Sequence, residues 1–228
     1  LPDDSVVENE THLYCFTSGS TYEVLVPSTG RFLVSGTGAI ADYSSSRNVP
    51  WSGNEYSSKI KTVEVMDGVT GVGSYAFSAI TNMTSVTLSD SVTTIGANAF
   101  KDSKALSAVT APGVTKINAN AFSACIGLNT LVFGDAPETV AESAFATKWS
   151  AKIEEFVVYV DGEPSDQLTA ALNYNNKCTY NIANLNGGSV SEVVSGTLAT
   201  PERTGYIFQG WFDENDSKAE TPAFNKAA

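Results

Sequence analysis

The sequence is poor in the residues that usually do chemistry. Among its 228 residues there is one histidine and there are three cysteines. His12 stands without a second histidine, so neither a Ser-His-Asp nor a Cys-His arrangement is supported. Cys15, Cys125 and Cys178 are widely separated, which excludes a metal knuckle and a C-x-x-C redox pair. Buried free thiols are the simpler expectation, and a Cys15–Cys178 bridge is the alternative. Charge is also scarce, at 17% of residues, and it is one-sided: 13 basic against 25 acidic groups, a net charge of -12. That balance argues against nucleic acid and against an anionic membrane surface, since both call for a basic patch. No apolar run approaches the ~20 residues of a membrane span, so no membrane insertion is expected. The acids do not form a catalytic pair either. Glu154 and Glu155 are adjacent in an expected strand, where neighbours alternate faces. The acid-rich "DGEPSD" at 161–166 and "DENDS" at 213–217 lack the spacing of a calcium loop. The expectation is a protein that is not an enzyme and that needs no cofactor or metal. The opening "LPDDS" reads as the start of a mature chain.

What the chain has instead is a repeat. "VGSYAF" at 72–77 is followed by "IGANAF" at 95–100, "INANAF" at 117–122 and "VAESAF" at 140–145. Phe77, Phe100, Phe122 and Phe145 share one register, and Val72, Ile95, Ile117 and Val140 share a second, five positions earlier. Ile60, Met83, Leu106 and Leu128 keep the same period, as do Val63, Val86, Val109 and Leu131 three residues on. Val65, Leu88, Ala111 and Phe133 complete the set. Each unit reads L-x-x-V-x-L, a turn, then V/I-x-x-x-A-F. The V-x-L part alternates as a half-buried strand does. The A-F part predicts a tight helical or 3₁₀ turn that packs a ring inward. One unit of about 23 residues cannot bury its own apolar edge, but stacked units can. The prediction is a β-rich α/β repeat solenoid over residues 59–160, with Phe77, Phe100, Phe122 and Phe145 at its inward corner. A fifth strand is expected at "FVVYV", 156–160, with Ile153, Phe156 and Val158 repeating the spacing after a two-residue insertion.

The period and the V-x-x-I-G-x-x-A-F signature resemble the BspA-like leucine-rich repeats of secreted and surface proteins. The lead-in "TGRFLVSGTGAIADY" at 29–43, "VPW" at 49–51 and "IKTVEVMDGVTGVGSYAF" at 60–77 supports the resemblance, which spans roughly residues 20–160. Asn118, Ala141 and the missing inter-repeat cysteines depart from the commonest form in rung detail. The resemblance implies a short right-handed leucine-rich-repeat superhelix on a bacterial secreted or cell-surface protein. It also implies adhesion to host matrix or other surface proteins.

The ends read differently. "TYEVLV" and "RFLV" around "PSTG" predict a hairpin that caps the first rung, within an N-terminal strand-rich segment 1–58. Residues 161–178 read as linker and short helix. Residues 179–228 resemble the Listeria–Bacteroides repeat, a small β-grasp-like module. The matching residues are Leu185, Asn186, Gly187 and Gly188, then Gly196, Pro201, Gly205, Tyr206, Phe208, Gly210 and Trp211.

For binding, the strands offer an outward face. If Val63 and Val65 point in, Thr62 and Glu64 point out. The same rule gives Ser85 and Thr87, Ala108 and Thr110, Thr130 and Val132, and Glu155 and Val157. Five strands and four residues across make on the order of 300 Å². A stable interface buries about 800 Å² per partner, so protein contacts here are expected to be weak and multivalent. Tyr43, Trp51 and Tyr56 in the loop at 35–58 are candidates to add contacts, with Trp51 packed against the first rung as the alternative. A spacer within a larger surface protein is a second reading. A carbohydrate-binding module, with a glycan ligand on an exposed Trp51 or Trp149, is a third.

Overall fold

The computed structural model describes residues 13–146, 153–174 and 178–185. The chain begins with an antiparallel meander of β1 (Tyr14–Ser18), β2 (Thr21–Val26) and β3 (Arg31–Gly36). The turn "PSTG" closes β2 onto β3, with Val26 opposite Arg31. Two-residue β4 (Gly38–Ala39) and a loop with the single-turn helix α1 (Asn54–Ser57) lead to the first repeat.

From there each unit contributes two strands. The long ones are β5 (Thr62–Val65), β7 (Ser85–Leu88), β9 (Ala108–Ala111), β11 (Thr130–Asp135) and β13 (Ile153–Asp161). The short ones are β6 (Val69–Val72), β8 (Thr94–Ile95), β10 (Lys116–Ile117) and β12 (Thr139–Val140). After β13 come helix α2 (Asp166–Asn173) and β14 (Cys178–Asn184). Two sheets result. One runs β1-β2-β3-β5-β7-β9-β11-β13-β14 and the other β12-β10-β8-β6-β4. From β3 onward the first sheet is parallel, because every rung re-enters it in the same direction.

The core lies between the two sheets. Val63, Val65, Val86, Leu88, Val109, Ala111, Leu131 and Phe133 are at most 3% exposed. Val72, Ile95, Ile117 and Val140 enter from the second sheet, and Phe77, Phe100, Phe122 and Phe145 close the corner between them. The phenylalanine rings form a column: Phe77 to Phe100 is 5.7 Å between centroids, Phe100 to Phe122 5.3 Å, and Phe122 to Phe145 5.4 Å, with planes 6–9° apart.

The corner is not the tight helical or 3₁₀ turn that the A-F segment predicts. It is a run of turns with two left-handed residues in each of the first three corners: Tyr75 and Ala79, Asn98 and Asp102, Asn120 and Ala124, all at φ between 56° and 62°. Such a conformation costs of order 1 kcal/mol or more per non-glycine residue. It turns the corner amides toward the next rung. Phe77, Phe100 and Phe122 donate to Ala99, Ala121 and Ala144 carbonyls, each at 2.8 Å, and Ala79 donates to Lys101 at 2.7 Å. Threonine and serine hydroxyls make similar links to the preceding rung, as in Thr93 to Thr70, Thr115 to Thr93 and Ser107 to Thr84.

Two expectations change. Leu131 pairs with Val158, not with Phe156, and Thr130 with Val157. The fifth strand is therefore displaced by two residues from the repeat alignment. A shift of two keeps the same face inward, so the pattern alone cannot detect it. A Cys15–Cys178 bridge is also excluded. The two cysteines lie on opposite edge strands, β1 and β14, eight strand spacings apart or ~38 Å. A disulfide requires Cα atoms within about 7 Å. Cys15 and Cys125 are free, the first exposed and the second buried.

Helix α2 covers the C-terminal end of the core with Leu168, Ala171 and Leu172. Ser165 caps it by accepting from Leu168 N at 3.2 Å. Gln167 Oε1 accepts from Val140 N at 2.9 Å, so the helix also satisfies an amide of edge strand β12. Residues 178–184, where the β-grasp-like resemblance begins, form the last strand of the long sheet and pair in parallel with β13. The remainder of that module, 186–228, lies outside the described residues, as do His12 and Trp149. No helix among the described residues is long and apolar enough to cross a membrane.

Candidate functional site

The outward positions fall into two rows because the strands are in register. Thr62 faces Ser85 and Ser85 faces Ala108, while Glu64 faces Thr87 and Thr87 faces Thr110. β11 extends these rows with Thr130 and Val132.

Solvent reaches only part of this face. Thr87 is exposed, and Thr62, Glu64, Ser85, Ala108 and Thr110 are half-buried. Thr130 and Val132 are buried at 2% and 5% exposure, and so are Val157 and Tyr159 beyond them. Thr130 and Val132 are therefore not part of an accessible face. Outward direction follows from alternation, but access does not, and "FVVYV" is the continuous apolar run of a strand buried on both faces. The other end is closed in the same way, with outward Val24, Val26 and Leu33 buried. What remains is a window on β5, β7 and β9, on the order of 200 Å² in projection. The side chains of Glu154 and Glu155 lie outside the described residues.

Within the window the one acid is already engaged. Arg31 Nε donates to Glu64 Oε1 at 2.9 Å and Nη2 to Oε2 at 2.8 Å, a bidentate pair across the sheet. Sequence reasoning missed this partner, although a basic residue on the strand beside β5 was a signal. Ser85, Thr87, Ala108 and Thr110 make up the rest of the window, since the Thr62 hydroxyl is buried.

The loop aromatics do not present themselves for binding. Trp51 is 0% exposed and its indole Nε1 donates to Ala76 O at 2.8 Å. Its ring lies 5.1 Å from Phe32 and 5.7 Å from Phe77, so it extends the phenylalanine column toward the hairpin. Tyr56 packs edge-on against Tyr14 at 4.9 Å and Phe16 at 5.1 Å. Tyr43 is half-buried and its hydroxyl donates to Ser18 Oγ at 2.8 Å. Burial pushes the Tyr43 phenol above its ordinary range. The three rings bind the loop to the hairpin and the first rung. The cause is their size: burying such rings contributes more than displaying them would.

Burial pushes the Cys125 thiol up to about 12, and its Sγ donates to Phe100 O at 3.0 Å. Ser103 holds the equivalent place one rung earlier and donates to Phe77 O. Among the described residues no group of three or more metal-ligating side chains converges.

A stack of parallel strands at a period of 22–23 residues, with a hydrophobic ladder at each corner, defines a leucine-rich-repeat solenoid. The more particular match is to the BspA type leucine rich repeat region, in six copies over residues 55–160, and that stretch of the chain belongs to this family. No curated protein matches the chain. Among solved structures, a leucine-rich repeat protein from Eubacterium ventriosum ATCC 27560 is similar at 19% identity and TM-score 0.46, covering 83% of this chain and 51% of that one. The pneumococcal vaccine antigen PcpA matches at 14% identity and TM-score 0.43, covering 71% and 46%. A leucine rich cell surface protein from Faecalibacterium prausnitzii A2-165 matches at 18% and 0.34, covering 85% and 61%. The chain thus spans roughly half to three fifths of these proteins' lengths.

Proposed function

We propose that the chain is an adhesion module of a bacterial secreted or cell-surface protein, binding host matrix or other surface proteins weakly and through many copies. The observation that supports this reading is the partly open window of Ser85, Thr87 and Thr110 on a sheet backed by a continuous core. Its small area limits a single copy to weak contacts, so avidity must supply the rest. Membership of the BspA-type family supports the surface assignment. The test compares monomeric chain with chain displayed densely on beads, against a panel of matrix proteins. Binding by beads alone, abolished by Thr87→Arg, supports the reading. Equal retention by the Thr87→Arg beads, or none by either form, sinks it. Trp51→Ala is unsuited to this purpose, because Trp51 is part of the core.

The Arg31–Glu64 pair favours a second reading, a structural spacer. It engages the one charged anchor in the window, and binding hot spots are usually tryptophan, tyrosine or arginine. The spacer reading expects no saturable ligand on the window at any valency. The carbohydrate reading that relied on an exposed Trp51 loses that platform to burial.

A further inference from the structure

The loop between the hairpin and the first rung borders an open depression of about 290 Å³. It is lined by Ser46, Arg47, Ser52 and Ser57 from the loop and by Ser78, Ala79 and Ile80 from the first corner. Two of its hydroxyls are committed: Ser52 donates to Arg47 O at 3.2 Å and Ser78 to Lys101 O at 3.0 Å. The hydroxyls of Ser46 and Ser57 have no hydrogen-bond partner among the described residues, and the exposed Arg47 guanidinium has no ion-pair partner there. No acid lines the depression.

We propose that this depression binds an acidic sugar, with Arg47 clasping the carboxylate and Ser46 and Ser57 bonding ring hydroxyls. A guanidinium matches a carboxylate bidentately, which a neutral sugar cannot exploit. The volume is at the small end of ligand sites, about 300–1,000 Å³, and so admits a single ring. The exposed Ala79 methyl offers the ring's C–H face an apolar contact, with Ile80 buried beneath it. The chain's net charge of -12 repels an extended polyanion, so the ligand is an isolated terminal residue rather than a long acidic polysaccharide. The site is also pre-formed. Trp51, Tyr43 and Tyr56 pin the loop, Ser52 N donates to Val49 O at 3.0 Å, and little ordering is left for the ligand to impose. The aromatics hold the loop so that its polar residues meet the ligand.

The proposal goes beyond the window on the sheet and does not depend on it. Its test is a titration of the whole ¹⁵N-labelled chain with glucuronate, glucose and propionate, followed at the amides of Ser46, Ser57 and Ala79. Saturable shifts with glucuronate are expected, with glucose, which lacks the carboxylate, and propionate, which lacks the ring hydroxyls, each weaker by about tenfold or more. Arg47→Gln, a change at an exposed side chain, should weaken glucuronate by a similar factor, and Thr87→Arg should leave it unchanged. No saturation with glucuronate at high millimolar concentration overturns the proposal. Equal binding of propionate overturns the sugar, leaving a bare carboxylate site. Equal binding of glucose, or an unaffected Arg47→Gln, overturns the role of the guanidinium.

Discussion

Glu23 on β2 is fully buried, and burial raises its carboxyl above the ordinary glutamate value of 4.5. The hydrogen bonds explain how it is tolerated. Thr21 Oγ1 lies 2.7 Å from Ser18 O and 2.6 Å from Glu23 Oε1. A hydroxyl has one proton, and a carbonyl oxygen can only accept. Both contacts are satisfied when Thr21 donates to Ser18 and a protonated Glu23 donates to Thr21. Glu23 Oε2 has no partner, which suits a neutral acid far better than a carboxylate. Tyr43 is the titratable group it faces, its own phenol raised chiefly by burial. The sign of the linkage follows. Between the unfolded and the raised folded value the native state holds the extra proton, so stability is full below 4.5 and falls as pH climbs through the folded value. Glu23→Gln keeps a donor and removes the titration. Its melting temperature relative to the parent should be near zero difference at pH 4 and should rise toward pH 8. A pH-independent difference would show that burial does not raise the Glu23 carboxyl in the folded chain. The sequence gives no hint of this residue, because "TYEVLV" alternates cleanly with Glu23 on the same face as Leu25.

At the scale of the element, the corner was legible in position and not in conformation. Four aligned A-F pairs located it, since each phenylalanine is at most 7% exposed. The left-handed residues were legible only in part. Asn98, Asp102 and Asn120 are types that favour positive φ, but Tyr75, Ala79 and Ala124 are not. Rung-to-rung hydrogen bonds impose it, and no single unit contains them. The glycine before the first corner shows how close the rungs come: a Cβ on Gly73 would lie 2.0 Å from Ala41 O. Phe100 has a ring on either side in the column. Phe100→Ala should cost about 3–5 kcal/mol in denaturant unfolding. A loss below 1 kcal/mol would mean that the column is not a source of stability. The same logic failed for the fifth strand, where a two-residue slip left the face unchanged and therefore left no trace in the pattern.

For the whole molecule, the sequence revealed the solenoid and overstated the surface it offers. Alternation identified the outward rows, but the closure of both their ends depends on what lies over them, which no local pattern encodes. The aromatic residues in the loop left two readings open for a related reason, since a tryptophan in a glycine- and serine-rich segment looks the same whether it is displayed or packed on the first rung, and the structure has it packed. The ring column carries one more consequence. Planes within 9° of each other at nearly equal spacing mean that, along this line, one rung becomes the next almost by sliding alone. An object generated by sliding has no built-in length. Duplicating residues 84–106 in tandem should therefore yield a folded chain whose circular dichroism per residue is unchanged and whose melting temperature is no lower. A molten product would show that the rungs are not interchangeable. On this view the number of rungs is set by what the two ends terminate, and evolution can adjust the protein's reach like a telescoping rod without redesigning any joint.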